Sequence, residues 1–410
     1  MKRILALSLA LLLTFAAFAG CSGASDNSAG TPASGGTAAA GDSGNAASGD
    51  KIIKLGVFES LSGDNGAGGK QETLGWVYAN SVQPTIVIGG ETYTIVLETV
   101  DNESSTDKAP SAAQSLVSRG VSAVLGSYGS AVCIASSAVF DQAGLPMLTV
   151  SATNPQVTAD NDNVFRLCFL DPFQGTVLAD YAYNTLGATN AYVLSKQGDD
   201  YSAGLANYFV KHFEELGGKV TDEQFPQGNT DFSSYVANAK AAGAQVFFSP
   251  VSTEAASNII DQANAQALGI PILAGDTWDS NVITQAGKGK DIEVTIDTFY
   301  QESGTPFDVA FKEWISADPQ RLADNNGDDT LAAFSVMAYD GYFTMLEAIK
   351  AADSTDSAAI QAALSGVKYD GQTGAIAFDD TGDALRNSAY IKKVNTTDGT
   401  WEFLEVATVG

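Results

Sequence analysis

The sequence holds one histidine in 410 residues, His212, and three cysteines, Cys21, Cys133 and Cys168. That shortage excludes several familiar chemistries. A Ser-His-Asp triad needs a histidine beside its serine, and a Cys/His zinc site needs about four such ligands. His212 itself flanks the apolar stripe Leu205, Phe209, Phe213 and Leu216 of a predicted helix, as a boundary residue does. No Gly-x-Ser-x-Gly nucleophile elbow is present. Positive charge is scarce too: 21 Lys and Arg stand against 48 Asp and Glu, a net charge of -27. A surface that acidic repels phosphate backbones, which excludes nucleic acid as a partner. It equally disfavours broad contact with anionic membrane surfaces. Only 17% of residues are charged, so most solvent-facing positions must be Ser, Thr, Asn, Gln, Gly or Ala.

Two further motifs fail on inspection. Gly66-Ala67-Gly68-Gly69-Lys70-Gln71 suggests a phosphate loop, but its leading glycine is replaced by Asp64 and the residue after the lysine is Gln71. Asp324-Asn325-Asn326-Gly327-Asp328-Asp329 suggests a calcium loop, but the alternating ligands and the twelfth-position Glu are missing. It reads as a solvated acidic loop, and no metal site or cofactor is expected.

What the chain does have begins with an address. Lys2 and Arg3 precede a nearly unbroken apolar run, Ile4 to Ala19, the pattern of a secretory signal over residues 1–20. Phe18-Ala19-Gly20-Cys21 then resembles the lipobox of bacterial lipoproteins, with Phe18 where an aliphatic residue is commoner. The resemblance implies lipidation of Cys21. Residues 21–50 are rich in Gly, Ala, Ser and Thr without hydrophobic period, the composition of a flexible tether. No later run is long and apolar enough to span a bilayer. Export permits a disulfide between Cys133 and Cys168. Both sit in apolar segments, so two buried thiols is the plainer expectation.

From Lys51 onward, short apolar runs alternate with amphipathic helical patterns. Strands are expected at 52–58, 93–100, 121–126, 145–150, 191–195, 246–250 and 270–274. Helices are expected at 110–119, 130–142, 203–216 and 254–268, with another opened by a capping Asp171 and closed by Gly187. This βαβα order predicts an α/β fold with parallel sheets covered by helices, and 45% hydrophobic content over this length supports two lobes. Ligands of such sheets collect at the carboxyl ends of the strands. The loops to watch are therefore 60–70, 127–130, 151–155, 196–202, 250–254 and 276–281.

Three of these loops carry suggestive chemistry. Gly126-Ser127-Tyr128-Gly129-Ser130 leaves a strand and opens a helix, whose free N–H groups and positive dipole end can seat a carboxylate; Ser130 could equally serve only as a helix cap. Ser151-Ala152-Thr153-Asn154-Pro155 offers hydroxyls and open main-chain groups, or an ordinary turn. Asp276 could pair with a ligand ammonium and Trp278 could wall the site, against the plainer reading of a capping Asp and a core Trp.

Taken together, the order of segments resembles the leucine/isoleucine/valine-binding family, over nearly all of residues 51–409. The marks are Leu55-Gly56-Val57-Phe58-Glu59-Ser60-Leu61-Ser62-Gly63, Asp101, Val124-Leu125-Gly126-Ser127 and Pro146-Met147-Leu148-Thr149-Val150-Ser151-Ala152-Thr153. Phe165-Arg166, Asp171, Gln174-Gly175, Tyr201, Gly204-Leu205, Gly275-Asp276, Ala338-Tyr339-Asp340, Thr373-Gly374, Phe378-Asp379 and Gly382-Asp383 follow in order. The resemblance implies two Rossmann-like lobes of the type I periplasmic binding fold, joined by three crossovers around a ligand cleft. Lobe one would be 51–171 plus 303–374, and lobe two 172–302 plus 375–410.

It also implies a function: a non-enzymatic substrate-binding lipoprotein that captures an amino acid, branched-chain or other, and hands it to an ABC permease. The alternatives are a sensory receptor module, or a binder of an amide, urea or short carboxylate on the same scaffold, and a monomer is expected. Ser130, Ser151, Ala152 and Thr153 match positions that grip the ligand's carboxylate and amine. Tyr201 matches a tyrosine that closes over it, and Tyr128 and Phe334 match side-chain-pocket positions. The acid facing the ammonium falls near Asp276, although an ungapped match gives Thr277. Val251 replaces a family tyrosine and Gly68 a pocket aromatic, so the main-chain grip is kept while the side-chain pocket differs.

Overall fold

The computed structural model describes residues 51–409; the expected signal, Cys21 and tether lie outside them. Sheet one contains β1 (Ile52–Glu59), β2 (Thr85–Ile88), β3 (Glu91–Asp101), β4 (Ala123–Leu125), β5 (Met147–Thr149) and β6 (Val164–Arg166), in the order β2-β3-β1-β4-β5-β6. Sheet two contains β7 (Asn190–Lys196), β8 (Lys219–Phe225), β9 (Val246–Phe248), β10 (Ile272–Ala274) and β11 (Val294–Thr298). A small ribbon, β12 (Lys368–Gly371) and β13 (Gly374–Ala377), precedes β14 (Ser388–Asn395) and β15 (Thr400–Thr408), which complete sheet two in the order β15-β14-β11-β10-β9-β7-β8.

Both sheets are parallel at the centre, as predicted, but each gains antiparallel edges. β2 pairs antiparallel with β3, and β14 with β11 and β15. The β2–β3 turn is Gly89-Gly90, both at positive φ (59° and 77°), as a two-residue hairpin requires.

Helices α1 (Gly66–Val82), α2 (Ala109–Arg119) and α3 (Ser130–Gln142) follow the strands of sheet one. Around sheet two run α4 (Asp171–Asp180), α5 (Asp200–Glu215), α6 (Ser233–Ala241), α7 (Thr253–Ala265) and α8 (Asn281–Gly287). The chain then returns to lobe one as α9 (Pro306–Ser316), α10 (Pro319–Asp324), α11 (Ala333–Ala352) and α12 (Ser357–Leu364). Trp76, Phe311, Met337 and Tyr342 share a buried core with Leu55 and Leu125 of sheet one, while Phe247, Ile259 and Trp278 belong to the core of lobe two. Among the described residues no helix is long and apolar enough to cross a membrane.

Three expectations are corrected. Asp171 does not cap α4: Leu170 is the cap residue, and neither oxygen of Asp171 meets a hydrogen-bond donor. The last crossover falls later than residue 374. Phe378 packs edge-on against Phe165, Asp383 pairs with Arg166, and Arg386 bonds Leu167 and Thr373, so the chain leaves lobe one only between Arg386 and Ser388. The 324–329 loop is not simply solvated. Asn325 is fully buried, and its amide oxygen accepts from Gln71 at 3.0 Å. Cys133 and Cys168 are buried free thiols, and burial pushes the Cys133 thiol up to about 12.

Candidate functional site

The carboxyl ends of β4 and β5 face those of β7, β9 and β10 across a cleft. The β4 loop turns through Gly126 and Gly129, at φ of 96° and 105°. A Cβ on Gly126 would lie 2.4 Å from the Phe58 carbonyl, so only glycine fits. The turn delivers Ser130 to the start of α3, and Glu59 accepts the Tyr128 backbone N–H at 2.9 Å. The Tyr128 ring then lies over α1 at Gly68 and meets Phe334 edge-on, with centroids 5.0 Å apart. Its hydroxyl donates across the cleft to the Thr277 carbonyl at 3.2 Å.

The β5 loop is fixed from behind. The Arg166 guanidinium donates to the carbonyls of Ala152 (2.9 Å) and Asn154 (2.5 Å). The Asn154 N–H donates to Ser130 Oγ at 3.2 Å, and Ser151 donates to Glu72 of α1. Thus Ser130 and Ser151 stand on neighbouring loops at one wall.

Lobe two supplies the other wall. Asp199 caps α5 by accepting the Ser202 N–H at 2.8 Å. Tyr201 donates to Asp276 Oδ1 at 2.9 Å, with its hydroxyl 3.2 Å from Thr277 Oγ1. Thr277 Oγ1 and Trp278 Nε1 both donate to the Val251 carbonyl, at 3.0 and 2.8 Å.

The enclosed space is lined by Asn65, Tyr128, Gly129, Ser130, Ala131, Ser151, Asp199, Tyr201, Ser252 and Thr277. Within it, the centre of a water-sized sphere can move through about 20 Å³. Of the residues expected from sequence, Ser130, Ser151, Tyr128 and Tyr201 line this space. Phe334 backs Tyr128, Asp276 sits behind Tyr201, and Ala152, Thr153 and Trp278 are buried away from the lining. Thr277, the ungapped match to the acid position, lines it too. The lining adds Asn65, Gly129, Asp199 and Ser252, each within a strand-end loop singled out by topology, and Ala131 on the first turn of α3.

The electrostatics are one-sided. Burial pushes Asp276 up to about 7 and Asp171 up to about 8. Burial also lifts Glu59 to about 7, and burial with the neighbouring Glu59 charge lifts Glu72 well above the usual carboxylate range. No donor reaches Asp276 Oδ2 or Glu72 Oε1. Each group's folded pKa is raised above its unfolded value near 3.8 or 4.5. The stabilisation from holding these protons is therefore complete below about pH 4 and is lost as pH rises through 7 to 8. The melting temperature of ligand-free protein is expected to fall between pH 6 and pH 9. Asp171→Asn should flatten that slope, and a slope unchanged by the substitution would remove Asp171 from the account.

The profile of the periplasmic binding protein family matches residues 52–400. The chain belongs to the periplasmic binding protein family. It is 31% identical over 349 residues to Leu/Ile/Val-binding protein homolog 3 of Brucella melitensis, covering 83% of this chain and 91% of the relative. Among solved structures, the leucine-binding protein LivK of Thermotoga maritima superposes with a TM-score of 0.77 at 29% identity, covering 87% of this chain and 99% of that one. LivJ of Streptococcus pneumoniae, in complex with isoleucine, gives 0.75 at 26%, covering 88% and 100%. A Rhodopseudomonas palustris protein that binds 4-hydroxybenzoate shares the fold at 21% identity and a TM-score of 0.75, covering 87% of this chain and 97% of that one. Periplasmic binding proteins are extracytoplasmic and bind small solutes, and the two-lobed architecture here is theirs.

Proposed function

We propose that the protein captures an amino acid between its lobes and delivers it to an ABC permease, held at the membrane by a lipid on Cys21. The reading is carried by one arrangement: the N-terminus of α3 with Ser130 and Ser151 faces Tyr201, Thr277 and Asp199 across a narrow space. Helix N-termini favour anions, so the ligand carboxylate sits on α3. The ammonium sits toward Tyr201, whose hydroxyl is polarised by the buried Asp276.

The lobes meet through groups that bond only when closed. Tyr128 reaches the Thr277 carbonyl, Lys196 pairs with Asp64, and Asn154 Nδ2 donates to the Asp200 carbonyl at 2.7 Å. Gln71 of α1 accepts from Ser280 at 2.8 Å. Closure excludes water from the ligand's charges, which strengthens their contacts, and changes the outer surface offered to a permease. Binding and release make and break no covalent bond.

Isothermal titration with an amino-acid panel tests the reading: saturable heat with at least one member is expected, and none with any member overturns it. Asp276→Ala, which removes the acceptor of the Tyr201 hydroxyl, is expected to weaken that binding by about 1–3 kcal/mol. Unchanged affinity would assign the ammonium to Asp199 instead. Cys21→Ser is expected to move the protein from the membrane fraction to the soluble one; retention on membranes would refute the anchor.

A further inference from the structure

We propose that the cleft selects small, polar amino acids, of the size of glycine, alanine, serine and threonine, and that Tyr128 sets the limit. This narrows, and rests on, the reading of the cleft as an amino-acid site. Three observations carry it.

The first is where the Tyr128 ring lies. The glycine at position 68 leaves open space on the face of α1, and the ring fills it: a Cβ on Gly68 would lie 2.3 Å from Tyr128 Cζ. On its other side the ring meets Phe334. Tyr128 is 1% exposed and tied at both ends, by its N–H to Glu59 and its hydroxyl to the opposite lobe. A ligand side chain running between α1 and α11 would have to displace it.

The second is the chemistry of the lining. Ala131 is the one aliphatic side chain on it and the Tyr128 and Tyr201 rings supply the rest of its apolar surface, beside the hydroxyls and carboxylate of Ser130, Ser151, Asp199, Ser252 and Thr277. Beyond those rings, a leucine or phenylalanine side chain would meet hydroxyls and a carboxylate, and would strip water from them without replacing it. A serine or threonine hydroxyl replaces it.

The third is size. The 20 Å³ open to the centres of water-sized spheres holds one or two waters' worth of motion. An α-amino acid backbone with a few further atoms can be accommodated by small outward shifts. An isobutyl or benzyl group needs larger shifts, which Tyr128, tied at both ends, opposes.

Titration of the full mature protein with glycine, alanine, serine, threonine, valine, leucine and phenylalanine tests this. At least one of the first four is expected to bind roughly 100-fold tighter than leucine or phenylalanine. Tyr128→Ala should raise the leucine-to-alanine affinity ratio by about tenfold or more. Tyr128→Leu, which keeps an apolar contact with Phe334, should shift the ratio the same way and serves if the alanine variant is poorly folded by circular dichroism. Wild-type protein that prefers leucine or phenylalanine overturns the size limit alone, and so does a folded Tyr128 variant with an unchanged ratio. Uptake of none of the seven overturns the amino-acid reading, and this proposal with it.

Discussion

Arg166→Met is expected to destabilise the protein by about 3–5 kcal/mol, seen as a lower denaturant midpoint at unchanged slope. Arg166 is fully buried at the end of β6, and every arm of its guanidinium is used. Nε pairs with Asp383 at 2.5 Å, Nη1 serves the carbonyls of Ala152 and Asn154, and Nη2 donates to Thr158 Oγ1 at 2.9 Å. Methionine fills similar volume but leaves two interior carbonyls without their donor and the Asp383 carboxylate without its counter-charge, held only by the hydroxyls of Thr158 and Thr381. Removing one partner of a buried pair costs far more than the pair itself contributes. The double variant Arg166→Met/Asp383→Asn should therefore lose less than the sum of its parts. Because the two carbonyls belong to the loop that carries Ser151, ligand affinity should fall as well, although Arg166 does not line the cleft. A loss below about 1 kcal/mol would mean that water replaces the guanidinium, and that the loop is not held from behind.

Trp76→Ala is expected to cost a similar amount, about 3–5 kcal/mol. The indole is fully buried on α1, against Gly341 of α11, where an added Cβ would lie 2.7 Å from the ring. Two helices meet across that glycine, and truncating the ring leaves a void that neither can close. The indole N–H also donates to Glu59 Oε1 at 2.9 Å. Trp76→Phe separates the two effects: it keeps most of the ring and should lose only about 1–3 kcal/mol, the cost of an unmet buried acceptor. With one donor fewer, Glu59 should titrate higher still, and since it also holds the Tyr128 N–H, the packing of Tyr128 should loosen. Equal losses for the two variants would assign the whole effect to the lost indole N–H bond, and none of it to packing.

Much of the fold was legible because strand and helix periods alternate so cleanly. The helix expected at 130–142 is α3 to the residue. The strand-end loops followed from parallel topology alone, and they contain every residue that lines the cleft except Ala131 of α3. Side-chain direction did not follow. Residues 276–278 form one 3-10 turn, with three residues per turn, so neighbours point about 120° apart. Thr277 thus lines the cleft while Asp276 lies behind Tyr201 and Trp278 enters the core of lobe two. A one-residue ambiguity in sequence becomes three different destinations. Tyr128 was equally opaque: between two glycines at positive φ, no periodicity says where its ring goes. Asn325 misled for another reason. An Asp- and Asn-rich segment reads as solvated, yet an amide with several partners can be buried fully satisfied.

The meeting of Gln71, Ser280, Asn281 and Asn325 has a kinetic consequence. Asn281 Nδ2 donates to the Asn325 carbonyl at 2.7 Å and to Asp328 at 2.8 Å, so α8 is stitched to lobe one by amides and hydroxyls rather than by oil. An oily seam would grip hard and reopen slowly, since parting it exposes apolar surface. Here each severed bond is handed straight back to water, and parting costs little net free energy. A carrier must unload as readily as it loads, and a seam of this kind lets the jaws relax once the cargo is wanted elsewhere.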